Sequence, residues 1–240
     1  MRFLTDKPAV LLGDTLVIAD IHLGIEREVF GVRVSFTENT RDEILGLIQK
    51  TNAKKLLILG DVKHSIAGRR VLGGFEIKNF LQSINRVAEV EIVKGNHDGR
   101  IESLTNAITI HGAGGVKHGK YGFVHGHSWP KSEVMMADYI FLGHVHPVVD
   151  VADISGYRKR MRVWVVCKMN VKNAKKFYKR INPKATFIIV PAFTELAGGG
   201  VLNDLAIRKL GPLLRNEIFK IDDAEIYLLS GVKLSLKSKR

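Results

Sequence analysis

Five apolar runs in this sequence each end in side chains that can bind metal ions. The runs and the clusters that end them are Leu16-Val-Ile-Ala-Asp20-Ile-His22, Leu56-Leu-Ile-Leu-Gly-Asp61-Val-Lys-His64, Ile92-Val-Lys-Gly-Asn96-His97-Asp98, Phe123-Val-His125-Gly-His127 and Ile140-Phe-Leu-Gly-His144-Val-His146. Polar groups at the carboxyl ends of strands in an open α/β sheet converge on one crevice. Oxygen and nitrogen donors without thiolate suit Mn²⁺, Fe or Zn²⁺ better than Ca²⁺ or a structural zinc. The pattern predicts a metal site with two ions.

The two-metal interpretation depends on Asp61. Its two carboxylate oxygens can serve one metal each, which lets two divalent ions lie about 3.5–4 Å apart. Asp20 and His22 are two residues apart and can reach one cation together. A lone Asp-x-His or His-x-His is more often an incidental surface pair or a satisfied core pair. Five clusters in this order, each behind an apolar run, indicate a metal site instead.

The elements that position these clusters follow from hydrophobic periodicity. Four unbroken aliphatic residues before Gly60 predict a strand buried on both faces. Strands are predicted over 14–22, 56–61, 90–94, 108–110, 121–124, 139–146, 161–167 and 185–190, with a hairpin over 224–236. Helical spacing predicts helices over about 38–50 and 75–87, and a basic helix over 170–181. The apolar side chains of this last helix, expected to pack on the core, are Val171, Ala174, Phe177 and Ile181.

Length and composition favour one globular domain. The chain has 240 residues, of which 45% are hydrophobic, enough to bury a sizeable core. We expect one domain over 1–240, with a motif core at 14–150 and a basic C-terminal third at 158–240. No apolar run approaches the ~18–20 residues of a membrane span, and no signal-peptide h-region is found. The one cysteine, Cys167, cannot form an intrachain disulfide, so we expect a buried thiol and a cytoplasmic protein.

The net charge of +13 is concentrated in the last third of the chain. Residues 158–240 contain 19 Lys and Arg against 6 Asp and Glu, and residues 158–184 contain eleven basic residues and no acidic one. A solvated, solubilising face is one explanation. However, a run without acids cannot neutralise itself locally, so we expect a surface that faces a polyanion. Outside the five clusters, His111 and His118 are expected to be plain surface histidines.

The five clusters resemble the motifs of the calcineurin-like metallophosphoesterases, which are Asp-x-His, Gly-Asp, Gly-Asn-His-Asp/Glu, His and Gly-His-x-His in that order. The match runs from residue 16 to 147. The resemblance implies an α/β fold, a four-layer αββα sandwich of two mixed sheets flanked by helices. It implies metal-assisted phosphoester hydrolysis by a hydroxide that bridges two metals and attacks phosphorus in line. The cofactor expected is Mn²⁺, with Fe, Zn²⁺ or Ni²⁺ as alternatives.

The same resemblance assigns roles to individual residues. The first metal would be held by Asp20, His22, Asp61 and His146, and the second by Asp61, Asn96, His125 and His144. His127 would support these ligands without touching a metal. His97 would stabilise the transition state or protonate the leaving oxygen, and Asp98 could orient its imidazole. His64 could contact the scissile phosphate.

His22-Leu-Gly24 and His64, three residues after Asp61, resemble the SbcD-type repair nucleases, and the chain is similar to small archaeal SbcD-related and ligase-associated (PdeM-like) phosphoesterases. With the basic segment, this resemblance favours a DNA-repair phosphodiesterase that cleaves DNA rather than RNA, with a helicase or ligase partner and possible homo-oligomers. The residues expected to bind nucleic acid are Arg158, Arg160, Lys175, Lys176, Lys179 and Arg180. A small-molecule phosphoesterase and a scaffold without catalysis are the alternatives. The role of Gly198–Gly200, a loop near the site or a plain turn, is open.

Overall fold

The computed structural model describes residues 1–30, 36–66, 69–70, 73–152, 155, 157–202 and 204–235. The strands, labelled in chain order, are β1 (Arg2–Phe3), β2 (Val10–Leu12), β3 (Thr15–Ile18), β4 (Lys55–Leu59), β5 (Ser65–Ile66), β6 (Arg69–Arg70), β7 (Glu89–Val93), β8 (Thr109–His111), β9 (Val116–His118), β10 (Tyr121–Val124), β11 (Tyr139–Leu142), β12 (Pro147–Ala152), β13 (Arg158–Lys168), β14 (Thr186–Ile189), β15 (Gly200–Val201), β16 (Glu225–Leu228) and β17 (Lys233–Leu234). The α-helices are α1 (Ile25–Phe30), α2 (Thr37–Thr51), α3 (Gly74–Asn85), α4 (Val171–Ala174) and α5 (Gly211–Arg215). Short 3₁₀ helices cover Ile101–Leu104, Val134–Met136 and Leu205–Lys209.

The first sheet carries strands in the order β1-β2-β3-β4-β7-β8. Within this sheet the neighbouring strands from β3 to β8 are parallel. Strands β1 and β2 extend the sheet through antiparallel pairing. Side chains alternate along β4, so Leu56 and Ile58 pack with the residues of α2 and α3, whereas Leu57 and Leu59 face the other sheet. The predicted strand buried on both faces is confirmed.

The second sheet has the order β15-β12-β13-β14-β11-β10-β9, and β16 and β17 pair onto the long strand β13. It is mixed, because β10, β11 and β14 are parallel while β13 runs antiparallel to β12, β14 and β16. The predicted hairpin over 224–236 is present as β16 and β17, although residue 236 lies outside the described residues. A separate two-stranded ribbon is formed by β5 and β6.

The hydrophobic core consists of three apolar layers, of which one joins the two sheets. One lies between the first sheet and helices α2 and α3, one between the sheets, and one on the outer face of the second sheet. The middle layer includes Phe123, Phe141 and Trp164, and the first two rings stack with centroids 5.7 Å apart. The predicted sandwich of two mixed sheets is therefore confirmed, with only short helices on the second sheet in the part of the chain that the structure describes. None of the described helices is both long and apolar enough to span a bilayer.

The basic segment differs from its prediction. The expected helix over 170–181 is reduced to α4, and the chain continues from Ala174 in turns. Tyr178, rather than Phe177, is buried, and its hydroxyl donates a hydrogen bond to the Pro130 carbonyl at 2.9 Å. Phe177 is 47% exposed. The helical spacing was misleading here because it gave no sign that the Pro130 carbonyl, 48 residues away in the chain, would supply the partner that a buried tyrosine hydroxyl needs.

Candidate metal centre

The side chains at the centre are aimed by sharp turns at the ends of three strands. Asp20, His22, Asp61, His144 and His146 have φ angles between 45° and 67°. Non-glycine residues rarely adopt this left-handed conformation, and residues that do are concentrated at functional sites. The turns stop β3 at Ile18 and β11 at Leu142. The predicted strands over 14–22 and 139–146 therefore each extend four residues too far at the carboxyl end.

One group of metal-binding side chains lies at the carboxyl ends of three strands, β3 and β4 of the first sheet and β11 of the second. One atom each from Asp20, His22, Asp61 and His146 lies within 4.8 Å of the others. His146 Nε2 is 3.3 Å from Asp20 Oδ1 and 3.3 Å from His22 Nε2. His22 Nε2 is in turn 3.7 Å from Asp61 Oδ2. This group contains the four residues that the sequence predicted around the first metal.

A second group shares Asp61 with the first. One atom each from Asp61, His125 and His144 lies within 4.8 Å of the others. His125 Nε2 is 3.3 Å from Asp61 Oδ2 and 3.1 Å from Asn96 Oδ1, and the His125 and His144 rings are 5.0 Å apart. The residues predicted around the second metal are thus also brought together, with Asp61 between the two groups.

The two oxygens of Asp61 are not equivalent. Oδ1 accepts a hydrogen bond of 2.8 Å from the main-chain NH of His97. Oδ2 lies within 3.3–4.0 Å of ring nitrogens of His125, His22 and His97. The sequence suggested one carboxylate oxygen for each metal. In the structure Oδ2 contacts histidines of both donor groups, whereas Oδ1 accepts the main-chain hydrogen bond.

Main-chain carbonyls orient two of the imidazoles. His125 Nδ1 donates to the Leu59 carbonyl at 2.8 Å, and His146 Nδ1 donates to the Gly198 carbonyl at 3.0 Å. Each bond turns Nε2 toward the carboxylates, which is how metal-binding histidines are usually oriented. The Gly198–Gly200 segment, whose role was open, therefore lies against the centre. Sequence reasoning could not identify Gly198 as a partner, because its carbonyl is common to every residue type.

Close approach of the main chain explains two glycines in the motifs. A Cβ atom at Gly95 would lie 2.2 Å from Asp61 Oδ1, and one at Gly60 would lie 2.4 Å from His125 Nδ1. Gly60 also has a φ of 77°. Both distances are far below van der Waals contact, so a side chain at either position would displace a donor of the centre.

Three further predicted residues surround this centre. The His97 ring is 26% exposed, with Nε2 4.0 Å from Asp61 Oδ2. The His64 ring stacks on that of His97 at 5.4 Å and hydrogen-bonds the Glu28 carboxylate of α1. Asp98 is fully buried and accepts hydrogen bonds from main-chain NH groups of Gly95 and Val62 at 2.9 and 3.0 Å. Asp98 thus fixes the turn that carries His97. Glu28 was missed because nothing in the sequence links it to a histidine 36 residues away.

The donor set fits divalent cations. Burial lowers the pKa values of His22 and His144 to about 4, so both imidazoles are neutral at neutral pH and keep a free lone pair. Burial opposes ionisation of Asp61, but the hydrogen bond and charge of His125 outweigh it and hold the Asp61 pKa well below its usual range. The same contact raises the pKa of His125 to about 9 in spite of burial. Burial also opposes ionisation of Asp20, but the charge and hydrogen bond of His146 keep the pKa of Asp20 below its usual value. Both buried carboxylates therefore stay ionised beside the neutral imidazoles of His22 and His144.

His127 gives a second indication that the centre accommodates a further group. Its ring lies 5.1 Å from that of His125 and 6.0 Å from that of His144. Its Nδ1 is buried and has no hydrogen-bond partner in the described residues. A buried polar atom without a partner is costly unless water or a ligand satisfies it. The prediction that His127 supports the ligands by a hydrogen bond stays a prediction.

A cavity of about 460 Å³ opens beside the centre. His22 and Ile21 form its wall toward the metal donors, and Phe30, Phe36 and Phe193 contribute aromatic surface. Its other lining residues include Arg162, whose guanidinium donates to the Ala192 and Phe193 carbonyls and to Glu195. The cavity could hold the organic part of a phosphoester next to the metal donors.

The predicted nucleic-acid-binding residues fall into two places. Arg158 and Arg160 lie on β13, where Arg160 pairs with Asp150 at 3.1 Å. The remaining four, Lys175, Lys176, Lys179 and Arg180, are exposed in the turn after α4. In the described part of the chain no acidic side chain forms an ion pair with them. Beside them the Phe177 and Trp129 rings are in contact, with centroids 4.5 Å apart and planes tilted by 32°. Trp129 follows His127 by two residues, so this surface adjoins the centre.

Comparison with known proteins finds solved structures that are similar to this one. The chain is similar to a Pseudomonas putida protein described as nuclease MPE, with a TM-score of 0.52 and 19% identity over 92% of this chain and 88% of that one. A phosphoesterase from E. coli, Yfce, matches with a TM-score of 0.38 and 21% identity over 58% of this chain and 73% of that one. Neither a family model nor a curated protein matches the sequence. The likeness to the first protein shows that this chain shares its fold, a sandwich of two mixed sheets flanked by helices.

Proposed function

We propose that this protein is a phosphoesterase dependent on two divalent metal ions, and that it hydrolyses phosphodiester bonds in nucleic acid, with DNA preferred over RNA. The observation that carries the proposal is the pair of donor groups that share Asp61 Oδ2. Two groups around one carboxylate are typical of centres that hold two ions about 3.5–4 Å apart. The described residues supply no thiolate there, which favours Mn²⁺, with Fe, Zn²⁺ or Ni²⁺ as alternatives.

The assignments of ligands follow the two groups. Asp20, His22, Asp61 and His146 are proposed for one ion, and Asp61, Asn96, His125 and His144 for the other. Bound there, two divalent ions would supply Lewis acidity at the phosphate and lower the pKa of water. The chain holds the donors rigid through the carbonyls of Leu59 and Gly198 and the main-chain bonds of Asp98.

Proton transfer is proposed for His97. Its imidazole is at the solvent-facing side of Asp61, where it can reach the leaving oxygen of a phosphate bound at the donors. His64 stacks on it, with Nε2 bonded to Glu28 and Nδ1 3.3 Å from Nδ1 of His22, so a hydrogen bond from His64 to the phosphate would replace its contact with His22. Asp98 acts indirectly, because it fixes the turn that carries His97.

A nucleic-acid substrate is supported by the surface beside Trp129. Cations without acidic partners attract a phosphate backbone, and the exposed rings of Trp129 and Phe177 offer a face to unpaired bases. The Trp129 loop packs on the basic turn through the bond from Tyr178 to Pro130. A strand that crosses Trp129 and Phe177 would therefore reach the metal donors next. Repair partners such as a helicase or ligase, homo-oligomers and a cytoplasmic location stay predictions.

A second candidate function is favoured by the cavity at His22. A volume of 460 Å³ is within the range of small-molecule sites, and three phenylalanines line it. A cyclic nucleotide phosphodiesterase or phosphomonoesterase would place its base or leaving group there. This alternative predicts turnover of small substrates that is insensitive to salt and to the lysines of the basic turn.

The deciding experiment compares substrates on one preparation. Protein stripped by chelation is reloaded separately with Mn²⁺, Fe²⁺, Zn²⁺ or Ni²⁺ and assayed on single- and double-stranded DNA, RNA, a cyclic nucleotide and a phosphomonoester. The proposal expects Mn²⁺-dependent cleavage of DNA that falls steeply with salt. The His97→Ala variant is the control against contaminating nucleases. A folded protein that binds two ions and cleaves none of these substrates would contradict the proposal.

A further inference from the structure

A third group of metal-binding side chains lies where the two sheets meet at one edge. Glu91 is on β7 and His111 on β8 of the first sheet, while His118 is on β9 of the second. Neighbouring residues show the direction of two of these side chains. Val93 and Val116 belong to the apolar layer between the sheets, and Glu91 and His118 are each two residues from one of them, so both face the same layer. None of the three belongs to the candidate metal centre.

The two imidazoles converge on one carboxylate oxygen. Nε2 of His111 is 2.8 Å and Nε2 of His118 is 2.9 Å from Glu91 Oε2. The Glu91 side chain is 11% exposed and that of His118 is 46% exposed. The expectation that His111 and His118 are plain surface histidines is therefore wrong, because both have a largely buried partner that the sequence could not associate with them.

The surroundings orient Glu91 and leave room for a further ligand. Its other oxygen, Oε1, lies 3.7 Å from Lys55 Nζ, which is itself 2.9 Å from Glu89. A cavity of about 300 Å³ borders Glu91, His118 and Lys55, so water can reach the group. Burial opposes ionisation of Glu91, but the hydrogen bonds from both histidines outweigh it and keep the pKa of Glu91 below its usual value. The carboxylate is thus an anion at neutral pH.

We propose that Glu91, His111 and His118 bind one Zn²⁺ ion, separate from the ions of the candidate centre, and that this ion joins the edges of the two sheets. Two imidazole nitrogens and one carboxylate oxygen with an open fourth position form a common zinc donor set. Tetrahedral ligands at zinc lie about 3.3 Å apart. The present contacts need to open by about half an ångström, which the exposed His118 ring allows. Each neutral imidazole would carry its proton on Nδ1 and offer Nε2.

The test measures how many zinc ions the full chain binds. Metal-stripped protein is equilibrated with excess Zn²⁺, desalted and measured by mass spectrometry for zinc per chain. His118→Gln is the main variant, because glutamine can keep the hydrogen bond to Glu91 and the exposed position tolerates it, but it removes the imidazole. We expect His118→Gln and His111→Gln each to bind one zinc fewer than the wild type. Lys55→Gln, which changes a neighbour and no ligand, is expected to keep the wild-type count.

A second measurement separates this site from the candidate centre. The Asp61→Asn chain lacks the carboxylate shared at the centre, so the zinc that it still binds is expected to be lost when His118→Gln is added. Zinc is also expected to raise the melting temperature of Asp61→Asn and not that of the double variant. Equal zinc counts in the wild type and both histidine variants would overturn the proposal. Loss of zinc with His118→Gln but not with His111→Gln would overturn it as well, because it would indicate adventitious binding to one exposed ring.

Discussion

At the scale of single residues, the candidate centre depends on Asp61. Its Oδ2 lies 3.3 Å from Nε2 of His125 and 3.7 Å from Nε2 of His22, one from each donor group. A neutral amide at this position would keep the shape of the side chain but remove the charge that two cations share. Residue-scale experiments can therefore separate loss of metal from loss of proton transfer.

Asp61→Asn and His97→Ala are both expected to lower activity, but for different reasons. Asp61→Asn should lose both metal occupancy at the centre and activity. His97→Ala should keep wild-type metal occupancy and lower kcat by about 10²–10⁴-fold, the usual contribution of a proton-transfer group. Metal analysis and steady-state kinetics on the same preparations measure both. Wild-type kcat in His97→Ala would remove this residue from the mechanism.

Cys167 provides a residue-scale prediction outside the centre. It is 1% exposed on β13, and burial raises the pKa of its thiol to about 12. The thiol is protonated below that pH, so thiolate is almost absent at pH 8. We expect iodoacetamide at pH 8 to leave the native protein unlabelled and to label it in denaturant. Rapid labelling of the native chain would show that Cys167 is accessible, against the predicted buried thiol.

At the scale of elements, the turns after the strands determine the geometry of the centre. Gly95→Ala would put a Cβ 2.2 Å from Asp61 Oδ1 and 2.3 Å from the Asp61 main-chain nitrogen. We expect it to lower the free energy of unfolding by about 1–3 kcal/mol, as overpacking does, and to reduce metal occupancy. Chemical denaturation and metal analysis test both effects.

Gly46 is the matched control for this substitution. It is exposed within α2, and a Cβ there would meet no atom within 4 Å. Because glycine inside a helix is less favourable than alanine, Gly46→Ala should raise the free energy of unfolding by about 0.5–1 kcal/mol and leave metal occupancy unchanged. If both alanine variants shifted stability in the same direction, close approach at Gly95 would not be the cause.

At the scale of the whole molecule, positive charge is concentrated beside the centre. We expect the triple variant Lys175→Gln, Lys176→Gln and Lys179→Gln to weaken binding of single-stranded DNA. The slope of log affinity against log salt should fall by about 2, because each phosphate contact contributes about 0.7. Turnover of a small chromogenic diester should not change, since it does not reach the basic turn. Binding titrations at several salt concentrations measure the slope.

The control for this variant neutralises three lysines on the helix side of the first sheet. Lys50, Lys54 and Lys78 are exposed there and carry the same total charge. Their replacement by glutamine should leave the salt slope near that of the wild type. If both triple variants lowered the slope equally, net charge rather than the surface beside Trp129 would explain DNA binding.

Much of this architecture could be predicted from local patterns in the sequence. The unbroken run Leu56–Leu59 required burial on both faces, and the helices at Thr37–Thr51 and Gly74–Asn85 follow from their periodicity. Clusters of Asp, Asn and His after such runs indicated a shared crevice. The structure brings those predicted donors together, because parallel strands deliver their carboxyl ends to one edge of a sheet.

The remaining features depend on contacts between residues far apart in the chain. The bond of Glu28 to His64, the Gly198 carbonyl on His146 and the approach of His111 and His118 to Glu91 join separate elements. Periodicity carries no signal for such contacts. The sequence by itself determined which side chains could bind metal and which strands carry them. Only the tertiary structure decided which oxygen of Asp61 faces both groups and which histidines outside the motifs share a carboxylate, because both follow from how the two sheets pack.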